Sequence, residues 1–470
     1  MKGSFLVLLS LSLLLCCFGL ARLNHFETVV SSACPVHNLN TGLDYTTIQD
    51  AINANETLNK HTIFVDAGVY NESIIVNKSI SIIGENRNNT VLNPTETTFL
   101  PDTPMVNITA NNVEMAEFNV VGGWYFRKIW AGFCSNVTIR DCMIWSSGTA
   151  IVLNGASNCT IAENMVVGGG LEGNNLIVLD GCSGCTIDNN TVLSACYNGI
   201  GLLSSNNNLV CNNQIHGNGC GVYLSSAHEN LVFNNNISGP YSNSGVKFRA
   251  SSGNIVFSNI LSDCYLGIEF QYAEGRNTIF HNRFERNDDQ VSGLTAGSYF
   301  NSSYEGNYWS DYNGTDANQD GIGDVSYVVS TDSMDYYPLM GAFRNFTASG
   351  YDVQVISNST ISDFCFNGTA IGFDVFGENR TIGFCRICIP TALIGTDYRI
   401  LVNGTEVPFH LLPISNSTNS YLYFTYHQST QEVVIISEFP SFHILSLFMI
   451  AALLAVIIHR RKPSRLTLEN

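Results

Sequence analysis

One six-residue pattern recurs through the middle of the chain and leaves few folds open to it: an apolar residue, two of any kind, Asn, one of any kind, and a second apolar residue. It is written by Ile161/Asn164/Val166, Ile187/Asn190/Val192, Val210/Asn213/Ile215, Val232/Asn235/Ile237, Val256/Asn259/Leu261 and Ile279/Asn282/Phe284. Ile139/Cys142/Ile144 precedes them with Cys in the Asn place, and Met115/Phe118/Val120 is a weaker earlier copy. From Ile139 onward the steps are roughly 22 to 26 residues, a solenoid period. Each unit carries a second apolar alternation, as in Ile151/Leu153, Ile177/Leu179, Val246/Phe248 and Ile268/Phe270, which puts the residues between, such as Lys247 and Glu269, outside. Two short strands per period with Gly, Asn and Ser turns predict a parallel β-helix. Leucine-rich repeats share the period, but their fixed Leu offsets and helical return segment are missing. Stacked coils bring equivalent residues about 4.8 Å apart, so the Asn column is expected to form a ladder of mutually hydrogen-bonded amides.

The segments on either side carry a resemblance. "YTTIQDAINANETLNKHTIFVDAGVYNESIIVNKSISIIGENRNNTVLN" from Tyr45 and "GNYWSDYNGTDANQDGIGDVSYVVSTDSMDYYPLM" ending at Met340 resemble the start and end of the right-handed parallel β-helix family that includes NosD-type periplasmic proteins and carbohydrate-binding and sugar-hydrolase repeat modules. The resemblance implies an all-β, pectin-lyase-like solenoid over residues 45–300, opened by a short capping helix at Ile48 to Ala54 and closed by a cap over 301–345. From Phe346 to Ile436 the Asn column stops and longer alternating strands such as "YDVQVIS" and "SYLYFTYH" predict a small antiparallel β-sandwich.

The ends place the chain in a cell. "MKGSFLVLLSLSLLLCCFGLA" has the basic start, apolar run and small-residue exit of a signal peptide over 1–21. Residues 439–458 are apolar and are followed at once by Arg460, Arg461 and Lys462, which predicts one membrane-spanning helix with a cytoplasmic tail over 459–470. The sandwich and this tail resemble the membrane-proximal modules and anchors of archaeal surface proteins. A formal charge of −18 and a pI near 4.8 argue against nucleic acid as a partner and favour solubility and cation binding. Asn-x-Ser/Thr sequons are scattered from Asn55 to Asn416, all ahead of the apolar segment, as expected of a glycosylated exported chain.

Chemistry is concentrated in few places. In "DANQDGIGD", Asp316, Asn318 and Asp320 have the spacing of the first oxygen ligands of a calcium loop, Gly321 allows the turn, and Asp324 can add a further ligand. Tyr327 stands where an EF-hand needs Glu, so the reading is a lone structural calcium turn, with a metal-free Asp/Asn/Gly turn as its rival. That loop is expected to fasten a cap over the last coil, with Tyr308, Trp309, Tyr312, Tyr336 and Tyr337 as cover. Trp124, Tyr125 and Trp130, with Glu172 in the insertion "GGGLEGNN", are candidates for a ligand-binding rim; packing of the aromatics against a coil competes with that role. Asp141, Glu163, Asp188, Glu269, Glu285, Asp288 and Asp289 are the outward carboxylates available to an enzyme, but no paired arrangement stands out, so no catalytic residue is assigned. "CRIC", Cys385 to Cys388, lies in a predicted strand where an odd offset points the two sulfurs to opposite faces, against metal chelation. Cys159 and Cys185 occupy equivalent places on adjacent coils, close enough for a disulfide, and equally placed to be a stack of free thiols.

These readings converge on a surface-anchored, glycosylated, calcium-stabilised β-helix displaying a face for carbohydrate or other cell-surface ligands without catalysis of its own. Two alternatives stand beside it: a polysaccharide lyase, hydrolase or epimerase, and a NosD-like accessory protein for copper-enzyme maturation, the latter implied by the resemblance alone.

Overall fold

The computed structural model describes residues 35–437 apart from 95–102, 123–126, 169–174, 195–197, 218, 240–243, 273–274 and 296. The segments expected to be the signal peptide and the membrane span lie outside the described residues, among which no helix is long and apolar enough to cross a membrane. The chain divides into two compact units, Met1–Asn230 and Leu231–Asn470.

In the first unit each coil carries three short strands, not two. Thr138–Arg140, Met143–Ser146 and Thr149–Asn154 form one such coil. The six-residue pattern straddles a corner: Ile139 lies on the first strand, Asp141 takes a left-handed backbone (φ 53°), and Ile144 lies on the second strand. Strand partners are parallel and in register, with Ile139 opposite Ile161, Ile161 opposite Ile187 and Ile187 opposite Val210. All four are fully buried, each contributing roughly 1.5 to 3 kcal/mol of apolar burial. The opening edge is closed by Val36–Asn38, which pairs antiparallel with Thr62–Val65, and by the helix Ile48–Asn53. Thr47 caps that helix through Asp50 N, and the Glu72 carboxylate accepts from Ile48 N and Gln49 N at 2.8 and 2.9 Å.

The expected amide ladder is present. Asn164 Nδ2 donates to Asn190 Oδ1 and Asn190 Nδ2 to Asn213 Oδ1, both at 3.0 Å, and the same oxygens accept backbone N–H at Asn164 and Asn190. A second ladder runs parallel to it: Asn208 donates to Asn230 at 3.0 Å. Cys185 and Cys159 stand in that second column. Cys185 N donates to Asn208 Oδ1, Cys159 N to Cys185 Sγ and Val137 N to Cys159 Sγ, so the thiols take over the acceptor role of the amide. Both are free thiols in this structure.

In the second unit the strands Leu231–Phe233, Ile255–Phe257 and Thr278–Phe280 stack in parallel register. Asn235, Asn259, Asn282 and Asn307 form its ladder at 2.9 to 3.0 Å. Lys247 and Glu269 are paired outward at 3.0 Å, the side expected for them. Trp309 closes the coil interior, stacked between Phe284 and Tyr327 at 4.2 and 4.4 Å. Tyr336 and Tyr337 do not share that work, being 60% and 37% exposed. The following module is a sandwich of two five-stranded antiparallel sheets. Val353, Ile371, Phe373, Ile387, Phe424 and Ile435 fill its core. "CRIC" lies in the strand Ile382–Pro390. Cys385 faces that core beside Ser357 and Tyr426, whereas Arg386 projects from the other face.

Candidate functional site

The corner residue of each coil in the first unit forms a column on the outside. Ala116, Arg140, Ala162 and Asp188 pair in register, so the residues after them, Glu117, Asp141, Glu163 and Asn189, line up one coil apart, about 4.8 Å. All four have positive φ, at 62°, 53°, 59° and 51°. Asn accepts that conformation readily and Glu does not, so Glu117 and Glu163 are held in a costly backbone state where other coils use Asn189 and Asn212.

This column forms one wall of a groove of about 540 Å³, lined by Arg87, Glu117, Asp141, Glu163, Asn164, Met165, Asn189 and Thr191. Arg87 crosses it: its backbone N donates to Glu117 Oε2 at 3.2 Å and its guanidinium to Glu163 O at 3.4 Å. Asp141 is clamped by Arg140 at 2.7 Å, and Arg140 also pairs with Glu114 at 2.7 Å; these bonds, to Asp141 first, raise the arginine's pKa. Met143, Met165 and Thr191 pair in register on the adjoining sheet, and two residues further on Trp145, Val167 and Leu193 do the same. Trp145 is 46% exposed. The groove thus sets carboxylates and a guanidinium beside an apolar strip that ends in an open indole. Such a surface meets hydroxyl groups with one edge and C–H faces with the other.

Among the sequence candidates, Asp141 and Glu163 come together here, while Asp188 sits one position earlier and accepts from Asn212 Nδ2 at 2.7 Å. Glu117 and Trp145 were missed; the usable signal was Glu, where neighbouring coils have Asn, directly before the ladder position. Trp124, Tyr125 and Glu172 lie outside the described residues. Trp130 is half-buried and its indole lies over Gly132, where a Cβ would come within 1.8 Å of the ring, so it is packed onto its own strand.

The loop holding Asp316, Asn318, Asp320 and Asp324 is a separate place in the second unit. Asp316 accepts from Asp320 N and Gly321 N at 2.9 and 2.8 Å, Asp320 from Ile322 N at 2.9 Å, and Asp324 from Ala317 N at 2.7 Å. Burial, with Asp320 and Asp324 close by, raises the Asp316 pKa against the pull of those hydrogen bonds. Among the described residues no three His, Cys, Asp or Glu side chains are gathered as metal ligands. The loop is docked through Arg386, whose Nη1 donates to Asp320 O at 2.8 Å and whose Nη2 pairs with Glu305 at 2.7 Å. His281 holds the other Glu305 oxygen at 2.8 Å.

The coils define a class of protein, the right-handed parallel β-helix, and residues 149–313 match the family described as "right handed beta helix region". A cell surface glycoprotein of Methanothermus fervidus is 27% identical over 333 residues, which cover 60% of this chain and 54% of that protein. A probable ABC transporter binding protein NosD of Pseudomonas aeruginosa is 37% identical over 75 residues, covering 16% of this chain and 18% of its own. The chain thus aligns with about half the length of the first of these relatives and under a fifth of the second. Among solved structures, the A-module of the mannuronan C-5 epimerase AlgE4 of Azotobacter vinelandii superposes with a TM-score of 0.43 at 15% identity, covering 57% of this chain and 97% of that one. The ORF18 protein of Geobacillus virus E2 superposes with a TM-score of 0.46 at 12% identity, covering 84% and 74%. Likeness at that level carries no argument about activity.

Proposed function

We propose that the protein is a cell-surface β-helix that binds an extended glycan, without catalysis, in the groove walled by Glu117, Asp141 and Glu163. The observation that carries this reading is the alignment of the three carboxylates at left-handed corners beside the strip ending in Trp145. Carboxylates accept from paired sugar hydroxyls, Arg87 donates, and the indole and Met165 cover C–H faces. A wall of like charge disfavours uronates, so the ligand is a neutral or amino-bearing glycan. A surface location is supported by the relative named as a cell surface glycoprotein. Residues 439–458 would anchor the chain after loss of 1–21. Calcium would sit at Asp316, Asn318, Asp320 and Asp324, hard oxygen donors whose crowding a cation relieves, and would brace the turn without taking part in binding.

A hydrolase remains the second reading because the carboxylates of Glu117, Asp141 and Glu163 rise from corners whose backbones lie one coil apart, about 4.8 Å, and retaining glycosidases use two carboxyl groups about 5 Å apart. A glycan array combined with polysaccharide turnover assays tests the choice. Saturable binding without product, lost in Trp145→Ala and Glu163→Gln, is the expected result. Product formation abolished by Asp141→Asn or Glu163→Gln alone would move the protein to the enzymes, and stoichiometric copper uptake would move it to the accessory role.

A further inference from the structure

Two hairpins of the sandwich share one local geometry. Asn367-Gly368-Thr369 joins the strands Thr360–Phe366 and Ala370–Phe376, and Asn416-Ser417-Thr418 precedes the strand Asn419–His427. In the first, Asn367 Oδ1 accepts from Thr369 N, Thr369 Oγ1 and Ala370 N at 3.0, 3.1 and 2.8 Å, and Asn367 N donates to Ala370 O at 3.2 Å. The second repeats every bond: Asn416 Oδ1 accepts from Thr418 N, Thr418 Oγ1 and Asn419 N at 2.9, 2.7 and 3.0 Å, and Asn416 N donates to Asn419 O at 2.9 Å. Both asparagines are exposed, and neither Nδ2 donates to a protein atom among the described residues.

We infer that Asn367 and Asn416 are N-glycosylation sites on the folded sandwich. Each is a sequon in which the Thr hydroxyl polarises the amide oxygen while the nitrogen is left free toward solvent. The reaction forms a bond from Nδ2 to the anomeric carbon of a lipid-pyrophosphate-linked oligosaccharide. The C1–O bond to the pyrophosphate breaks, the lipid pyrophosphate leaves with the electron pair, and the Nδ2 proton passes to a base of the transferase.

Other sequons lack this geometry. Asn358 spends both amide atoms on backbone, donating to Ile382 O and accepting from Phe384 N, both at 3.0 Å. Asn136 Nδ2 donates to Asn112 Oδ1 at 3.0 Å in a stack of corner residues. At Asn379 the partner hydroxyl of Thr381 bonds to Glu378 O and to Gln428 instead.

Glycopeptide mass spectrometry on the full chain, produced in a host with active N-glycosylation and alongside a glycoprotein control, tests the inference. The expected result is sugar at Asn367 and Asn416 and none at Asn358 or Asn136. Gly368 has φ +95°, so Gly368→Ala, with the fold checked by circular dichroism, should lower occupancy at Asn367 and leave Asn416 unchanged. Bare Asn367 and Asn416 beside a modified control, or equal occupancy at Asn358, would overturn the inference.

Discussion

Asn190 in the first unit and Glu305, Asp335 and Arg386 in the second are all polar side chains withdrawn from water, yet they are satisfied in different ways. Asn190 belongs to a neutral ladder in which each amide repeats the bonds of the coil before it: it accepts from Asn164 and donates to Ile161 O and Asp188 O. The second unit has such a ladder too, but its end adds a cluster of ions that occurs once. Arg386 is 4% exposed, is bonded to Glu305 and Asp320 O, and keeps Nε without a partner. Asp335 is fully buried and accepts from Asn307 N, Trp309 Nε1 and Tyr337 N at 2.7, 2.8 and 3.0 Å. A ladder spreads its cost over many identical bonds, whereas an ion cluster stakes its stability on a few charges and so depends on pH.

The sharpest break of this comparison is Arg386→Ala. It leaves the nearly buried Glu305 with His281 as its remaining partner, with an expected loss of up to about 3 to 5 kcal/mol in denaturant unfolding of the second unit. A loss below about 1 kcal/mol would mean that the cluster is not holding the sandwich to the loop. Asn190→Ala should cost less, roughly 1 to 3 kcal/mol, since only neutral groups are orphaned.

The pH dependence should separate the units next. Burial raises the Asp335 pKa to about 6 despite its hydrogen bonds. Its stabilising contribution is therefore complete below its unfolded pKa, about 3.9, and is lost as pH rises through about 6, roughly 2 to 3 kcal/mol in all. Burial also pushes Glu305 up, but His281 and Arg386 outweigh it and hold the pKa low. Its contribution is present above about 4.3 and disappears as pH falls through the lower folded value. Thermal melts of the second unit should thus peak at about pH 4, between the two unfolded values, and Asp335→Asn should flatten the fall on the alkaline side. The amide ladder of the first unit has no charge to titrate between those limits.

How much of this was legible follows from what repeats. The Asn ladder and the apolar stacks could be read off because a solenoid writes each contact several times. The third strand of each coil was hidden because the corner at Asp141 splits a six-residue pattern that looks continuous. The groove was half-hidden: Asp141 and Glu163 were visible as carboxylates, but Glu117 and Trp145 join them only once the coil register is known. Arg386 was passed over between two cysteines, since nothing local in "CRIC" says that its outer face meets Glu305 and Asp320.

Smaller effects bear on the proposed roles. Calcium chelation should lower the melting temperature of the second unit by a few degrees, roughly 1 kcal/mol, and Asp316→Asn should abolish the response. An identical melt with and without chelator would leave the loop as a metal-free turn. Glu163→Asn should raise stability by about 0.5 to 1 kcal/mol by relieving the left-handed backbone, while weakening the ligand.

The measurement that most directly tests the glycan-binding account is titration calorimetry of the purified protein, and of Trp145→Ala and Glu163→Asn, against neutral oligosaccharides of increasing length. Affinity that rises with length until the chain spans the three carboxylate-bearing coils, and that both variants lose while remaining folded, is the expected result. Binding unaffected by either substitution, or equally tight to a uronate oligomer, would contradict it.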